Sequence, residues 1–434
     1  MTAATLRTIT LGCKVNHYET QWVREGLLGI GFRDAQRDEP ATLCVVNTCT
    51  VTAEGDAKSR QTIRRLARLN PGARIVVMGC YATRAPAEVA ALPGVAEVLT
   101  DKRELPDLLG RFGVIDLPRG ISDMPGMQRA YVKVQDGCLL RCSFCIIPHV
   151  RPALTSRPAD EIVQEVWRLV VNGFREVVLT GIHLGHYGVD LNRGRPKREW
   201  VRLSHLLERL AALDGEFRIR LSSIEATEVT RELIAVMAAH GDRVCPHLHI
   251  SMQSGSDAVL ARMRRRWGSR RFVDRCRLVC ERLRQPALTT DVIVGFPGET
   301  EADFAATCRV VSELGFSKVH IFPFSPRSST PAASMSDQVS PQVKASRAER
   351  LAELADDERA RYFASLAGAR LQVLVESPIP GRSGRMLGTA CRYAPVELAG
   401  DQSLSGRLVE VLAGPVEQGR IQAAEDSTQA NRSR

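Results

Sequence analysis

Six of the chain's twelve cysteines have the spacing that metal-cluster chemistry needs. Three lie in the run Gly137-Cys138-Leu139-Leu140-Arg141-Cys142-Ser143-Phe144-Cys145, a C-x3-C-x2-C pattern. Three more, Cys13, Cys49 and Cys80, are spread over the first 80 residues, each just past a short apolar segment with strand character. Thiolates suit iron–sulfur clusters, and three of them occupy only three corners of a four-iron cube. The fourth iron is then open to a substrate or cofactor. One open iron points to chemistry rather than electron storage, and two in one chain point to an unusual reaction. Cys13, Cys49, Cys80, Cys138, Cys142 and Cys145 are therefore the candidate metal-ligating and catalytic residues. Zinc is the rival ligand, with His149 four residues beyond Cys145. Zinc sites more often split their cysteines into two pairs than crowd three into eight residues. Asn16, Asn47, Thr48 and Thr50 stand close in sequence to the dispersed cysteines and can donate hydrogen bonds to cluster sulfur. Cys44, inside Leu43-Cys44-Val45-Val46, is read as a core residue.

The elements that must position these cysteines alternate strand and helix. Leu6–Leu11, Thr42–Asn47, Arg74–Gly79 and Val95–Thr100 are strand candidates, with helices over Tyr18–Leu28 and from Ala53 to Leu69. This pattern predicts a small parallel α/β sheet. Cys13, Cys49 and Cys80 then sit at the carboxyl edge, where open α/β sheets collect ligands. The stretch 113–129, rich in Gly, Pro and Asp, reads as a linker between this domain (1–112) and the next. Six further strand candidates follow: Ala130–Gln135, Glu176–Thr180, Phe217–Ser222, His247–Met252, Thr289–Val294 and Lys318–Phe322. Helical stretches separate them, so residues 130–368 are expected to form a six-unit (βα) partial barrel, including a connector helix over Ser340–Ala367. The C-x3-C-x2-C run follows the first barrel strand, at the catalytic face of such folds. Residues 369–424 change to short glycine-punctuated strands, Leu371–Val375, Gly384–Thr389 and Leu404–Leu412. They suggest a small antiparallel β-barrel of the kind that binds oligonucleotides. Residues 425–434 are polar and expected to be disordered. The fold class is α/β throughout the first two domains.

Composition excludes some classes. No apolar run approaches the roughly 18–20 residues needed to span a bilayer. Residues 1–7 lack the apolar core of a signal peptide, so no membrane partner and a cytoplasmic location are expected. Twelve cysteines in such a chain are ligands or small core residues rather than disulfides. Cys245, Cys276, Cys280, Cys308 and Cys391 are read as core. A formal net charge of +10 favours a polyanion partner, for which nucleic acid is the usual candidate.

The cysteine run, with Phe144 before its last member and its place after barrel strand one, resembles the signature of the radical S-adenosylmethionine enzymes. Thr180-Gly181-Ile182 resembles the segment that meets the methionine amino group. Ser222-Ser223-Ile224-Glu225 resembles a ribose and carboxylate contact. The segment from Asp291 to Gly298, through Gly295, resembles the one that packs on the adenine. The resemblance thus implies cofactor contacts at Gly181, Ser223, Glu225, Gln253, Asp291 and Gly295. With the three dispersed cysteines included, residues 6–415 resemble the methylthiotransferases, which replace C–H with C–S–CH3. That family implies two 4Fe-4S clusters, two molecules of S-adenosyl-L-methionine per turnover, and a C-terminal RNA-binding TRAM-like barrel. It also implies an electron donor such as flavodoxin or ferredoxin, a sulfur source, and a monomer. Leu11–Glu19, Phe144–Pro148, His249–Gly255 and Thr290–Thr300 resemble the branch acting on N6-threonylcarbamoyladenosine at tRNA position 37. Sister branches act on isopentenyl-adenosine in tRNA or on a ribosomal-protein aspartate. A zinc-binding RNA-interaction protein without catalysis is the rival from another class.

For the RNA, the arginines around Trp267 (Arg262, Arg264, Arg265, Arg266, Arg270, Arg271, Arg275 and Arg277) and those after Cys49 (Arg60, Arg64, Arg65 and Arg68) are candidate phosphate contacts. Arg382, Arg385, Arg392 and Tyr393 are candidates in the terminal barrel. His183 and His186 are substrate-pocket candidates.

Overall fold

A computed structural model describes residues 4–424, and no helix among them is long and apolar enough to cross a membrane. The tail expected to be disordered, 425–434, lies outside the described residues.

The first sheet contains β1 (Thr5–Thr10), β2 (Arg33–Asp34), β3 (Leu43–Thr48), β4 (Arg74–Gly79) and β5 (Val95–Val98) in the order β2-β1-β3-β4-β5. All its pairings are parallel. Every residue of β3 is buried, as a parallel strand covered on both faces requires. Helix α1 (Lys14–Gly29) lays Val23 and Leu27 on one face against Leu6, Val45 and Val76. Helix α2 (Ala53–Leu69) lays Ile63 and Leu66 on the other, against Val46, Ile75 and Val77. Its start is fixed by Thr52, whose side chain accepts from the Gly55 N–H at 3.1 Å.

The second unit contains β6 (Ala130–Asp136), β7 (Thr155–Ser156), β8 (Glu176–Gly181), β9 (Arg218–Leu221), β10 (His247–His249), β11 (Ala287–Val294) and β12 (Lys318–Pro323). β6, β8 and β9 pair in parallel, as do β10, β11 and β12. Parallel bridges Ile219–Val244 and Ile224–Ile250 join the two runs into one curved six-stranded sheet. β7 adds a short antiparallel edge to β6. The helices between strands pack outside on one apolar core, which α1 also enters through Tyr18. The stretch 113–129 is clamped between the two units rather than free. Ile121 N–H donates to Glu165 at 2.5 Å, Ser122 N–H to Glu25 at 2.8 Å, and Trp22 Nε1–H to the Pro118 carbonyl at 2.8 Å.

After the helix Pro341–Ser365 comes a closed barrel of β13 (Arg370–Pro378), β14 (Arg385–Ala390), β15 (Pro395–Ala399), β16 (Leu408–Glu417) and β17 (Arg420–Ala423). Its pairings are antiparallel except for a two-residue parallel seam between β15 and β17. The barrel docks on the second unit through two buried arginines of β9. Arg218 donates to the Gln372 and Thr389 carbonyls at 2.6 and 2.7 Å, and Arg220 to the Cys391 carbonyl at 3.0 Å. Glu176 lies between both guanidiniums. Burial works against its charge, but Arg220 and Arg218 prevail and hold its carboxyl well below the usual range.

Candidate active site

Each dispersed cysteine lies at the carboxyl edge of the first sheet. Cys13 caps α1, Cys49 follows β3, and Cys80 opens the short helix Cys80–Arg84 after β4. The approach is close. A Cβ built on Gly12, at φ +101°, would stand 2.9 Å from Cys49 Cβ and 3.2 Å from its Sγ, so only glycine lets the two loops meet. Asn16 ties the loops together, donating to the Leu11 and Thr48 carbonyls at 2.8 and 3.1 Å. The Cys49 thiol pKa is raised by burial, against a hydrogen bond from the Val51 amide.

The barrel cysteines sit in a loop without regular structure between β6 and the helix Ile147–Val150. Ser143 pins its centre: its N–H and hydroxyl donate to the carbonyls of Met263 and Arg262 at 3.0 and 2.7 Å, and its carbonyl accepts from Ala332. Gly137 opens the loop at φ +75°, where a Cβ would fall 1.9 Å from the Ala153 carbonyl oxygen. Burial pushes the Cys145 thiol up to about 12 and raises Cys142 as well. Donors nevertheless converge on these sulfurs. Arg265 Nη1 is 3.5 Å from Cys142 Sγ, His183 Nδ1 is 3.5 Å from Cys138 Sγ, and the Ile147 amide serves Cys145. Half-buried thiols met by N–H donors suit a bound cationic centre that takes them as thiolates. The residues present thus fit a cluster at this loop.

The two cysteine sets are neighbours. Cys80 packs against Ile146 and Val150, directly after Cys145. Arg151, buried to 4 % exposure, spans the join. Its Nη1 donates to Glu19 at 2.8 Å and Asp136 at 2.7 Å, and its Nη2 to Glu19 at 2.8 Å and Asn16 at 2.9 Å. Its carbonyl accepts from the Cys138 amide. Lys133 completes the balance, 2.8 Å from Glu19 and 2.5 Å from Asp136. Burial opposes the charge on both carboxylates, but the two cations hold both pKa values down. No local sequence pattern marks Arg151, Lys133, Glu19 or Asp136, because the network joins residues up to 132 positions apart. A cavity of about 470 Å³ opens beside this network, reached by Tyr18, Lys102, His149 and Arg157.

The residues expected to contact a cofactor follow successive strands. Gly181 ends β8, and Ser223 is exposed just past β9. Gln253 adopts φ +68°, its N–H donating to the Asp291 carbonyl at 2.8 Å. Asp291 in β11 stands 3.2 Å from His249 Nε2. Glu225 is engaged: its carboxylate pairs with Arg265 and accepts from Trp267 Nε1 at 3.2 Å. Gly295 is buried, its N–H donated to Glu299 at 2.6 Å and its α-carbon covered by Lys344.

Several candidate RNA contacts are placed otherwise. Arg265 and Trp267 are packed inside because Glu225, forty residues away, supplies their partner. Arg262 pairs with Asp337 and Arg277 with Glu313, whereas Arg264, Arg266, Arg270 and Arg271 are exposed. Arg60 pairs with Glu88 at 3.2 Å, while Arg64, Arg65 and Arg68 are exposed on α2. Arg382 and Arg385 both pair with Glu397. Arg392 is buried and donates to the Gln285 and Arg284 carbonyls, and Tyr393 lies against His247 and Arg220. Those two residues serve docking between domains. Of the cysteines read as core, Cys245, Cys276 and Cys391 are buried, Cys308 is half-buried and Cys280 is exposed.

The model of the radical SAM superfamily matches residues 132–311, and that of the uncharacterized protein family UPF0004 matches residues 5–100. The chain is 39% identical to the threonylcarbamoyladenosine tRNA methylthiotransferase MtaB of Bacillus subtilis, over 94% of this chain and 93% of that one. It is 32% identical to the tRNA-2-methylthio-N(6)-dimethylallyladenosine synthase of Moorella thermoacetica, over 94% and 95%. Among solved structures, the radical S-adenosylmethionine methyltransferase TsrM of Kitasatospora setae shares the fold, with a TM-score of 0.55, 15% identity, and 76% and 75% of the two chains covered.

Proposed function

The chain belongs to the radical S-adenosylmethionine tRNA methylthiotransferases, and we propose that it converts N6-threonylcarbamoyladenosine at tRNA position 37 to its 2-methylthio derivative. In this reading Cys138, Cys142 and Cys145 hold one 4Fe-4S cluster, and Cys13, Cys49 and Cys80 hold a second. When bound, the clusters and two molecules of S-adenosylmethionine supply one-electron hydrogen removal, sulfur and methyl. The chain's own part is placement. Arg151 and Asn16 fix one cysteine set against the other, so a nucleoside carbon can be served from both sides. Gly181, Ser223, Gln253 and Asp291 are assigned to the cofactor rim beside the barrel set. The exposed arginines Arg264, Arg266, Arg270 and Arg271, with Arg64, Arg65 and Arg68, are assigned to phosphates of the anticodon arm. An electron donor of the flavodoxin or ferredoxin class and an external sulfur source complete the reaction.

One observation carries the proposal. The two cysteine sets, far apart in sequence, adjoin through Cys80, Ile146 and Val150. The target nucleoside rests on the greater identity to the threonylcarbamoyladenosine enzymes. Mass spectrometry of tRNA nucleosides from cells with and without the gene tests it. The 2-methylthio form of threonylcarbamoyladenosine should disappear and its precursor accumulate. Loss of the methylthio form of dimethylallyladenosine instead would overturn the assignment.

A further inference from the structure

The short turn Ala226–Glu228 after β9, with Glu225 before it, carries two carboxylates three residues apart. Each stands beside a different side chain that faces a different thiol of the barrel set. Glu225 pairs with Arg265, whose Nη1 lies 3.5 Å from Cys142 Sγ. Glu228 Oε2 stands 3.3 Å from His183 Nε2, and the opposite edge of that ring places Nδ1 3.5 Å from Cys138 Sγ. The remaining thiol, Cys145, takes its hydrogen bond from the Ile147 backbone. Only the two side-chain donors therefore need an external support, and one turn provides both.

The main chain at His183 is fixed, its backbone N–H donating to Gln135 Oε1 at 2.8 Å. The His183 ring is stacked by that of His186, with centroids 3.6 Å apart. The side chain is 4% exposed. A ligating thiolate can only accept, so the ring nitrogen that faces it carries hydrogen.

We propose that Glu228, acting through His183, is a positioning residue that sets the reduction potential of the cluster at Cys138, Cys142 and Cys145. Hydrogen bonds to cluster sulfur favour the reduced, more negative state and raise the potential. Glu225 acts in the same way through Arg265. The inference rests on the cluster assignment proposed above.

The test is a potentiometric titration of the full reconstituted chain, following the electron paramagnetic resonance signal that changes when S-adenosylmethionine is added. Replacing His183 by Phe removes the donor and should lower the reduction equilibrium constant about tenfold, or about 59 mV for a one-electron couple. His183→Gln restores an N–H and should recover most of that shift. Glu228→Asp, which keeps the negative charge but withdraws it from His183, should shift the midpoint in the same direction by a smaller amount. A Phe variant with full iron and an unchanged midpoint would overturn the proposal. If the Phe variant loses iron, the Asp variant of Glu228 decides, and an unchanged midpoint there overturns it equally. Absence of any such signal in the unsubstituted chain would instead defeat the cluster assignment beneath it.

Discussion

Replacing Arg151 by Met should destabilise the join between the two cysteine sets more than any other single change there. Arg151 and Lys133 balance Glu19 and Asp136, all four half-buried or buried. Met fills much of the same volume but leaves one cation between two carboxylates. It also leaves Asn16 Oδ1 without its donor at 2.9 Å. Removing one partner from a buried, hydrogen-bonded charge set costs about 3–5 kcal/mol. Urea unfolding of the apo chain, followed by circular dichroism, gives the loss directly. A second substitution separates charge from packing. Asp136→Asn added to Arg151→Met removes the excess negative charge and should recover about 1–2 kcal/mol. A loss below about 1 kcal/mol for Arg151→Met, on the scale of an exposed pair, would refute the reasoning. So would an Asp136→Asn change that deepens the loss.

Gly137→Ala should abolish iron incorporation at the barrel set while sparing the other, because its Cβ would lie 1.9 Å from the Ala153 carbonyl; iron analysis after reconstitution reads this. Stability should fall in acid partly through Glu176. Its folded pKa is depressed, so its contribution is present above the unfolded value of about 4.3 and is lost as pH falls below it. Glu176→Gln should therefore cost about 3–5 kcal/mol near neutral pH and flatten the acid limb of a stability profile. An acid limb identical to that of the unsubstituted chain would contradict the sign.

Local patterns made much of this legible. The alternation of short apolar-containing runs with amphipathic helical stretches located all six barrel strands within a few residues. The same reading put Cys13, Cys49 and Cys80 at strand ends. β2, β7, β15 and β17 are not legible, since they are two to five residues long and lie outside the strand–helix alternation that reveals the equally short β9 and β10. The charge network was not legible either. Arg151 meets Glu19 across 132 residues and Asp136 across 15, a pairing that only the docked domains create. Nothing local distinguishes Arg265 from Arg264 or Arg266. Its burial follows from Glu225 and Trp267. Tyr393 lies under Arg220 of β9, and Arg392 donates to the carbonyls of Gln285 and Arg284, so both are spent on docking by partners more than a hundred residues away.

Iron and sulfide analysis of the anaerobically reconstituted chain tests the central claim most directly. Two cysteine sets of three predict about eight irons per chain, with about four lost when Cys138, Cys142 and Cys145 become Ala, and about four lost when Cys13, Cys49 and Cys80 do. Stoichiometric zinc without iron, or an iron count that the second set of substitutions leaves unchanged, would contradict it.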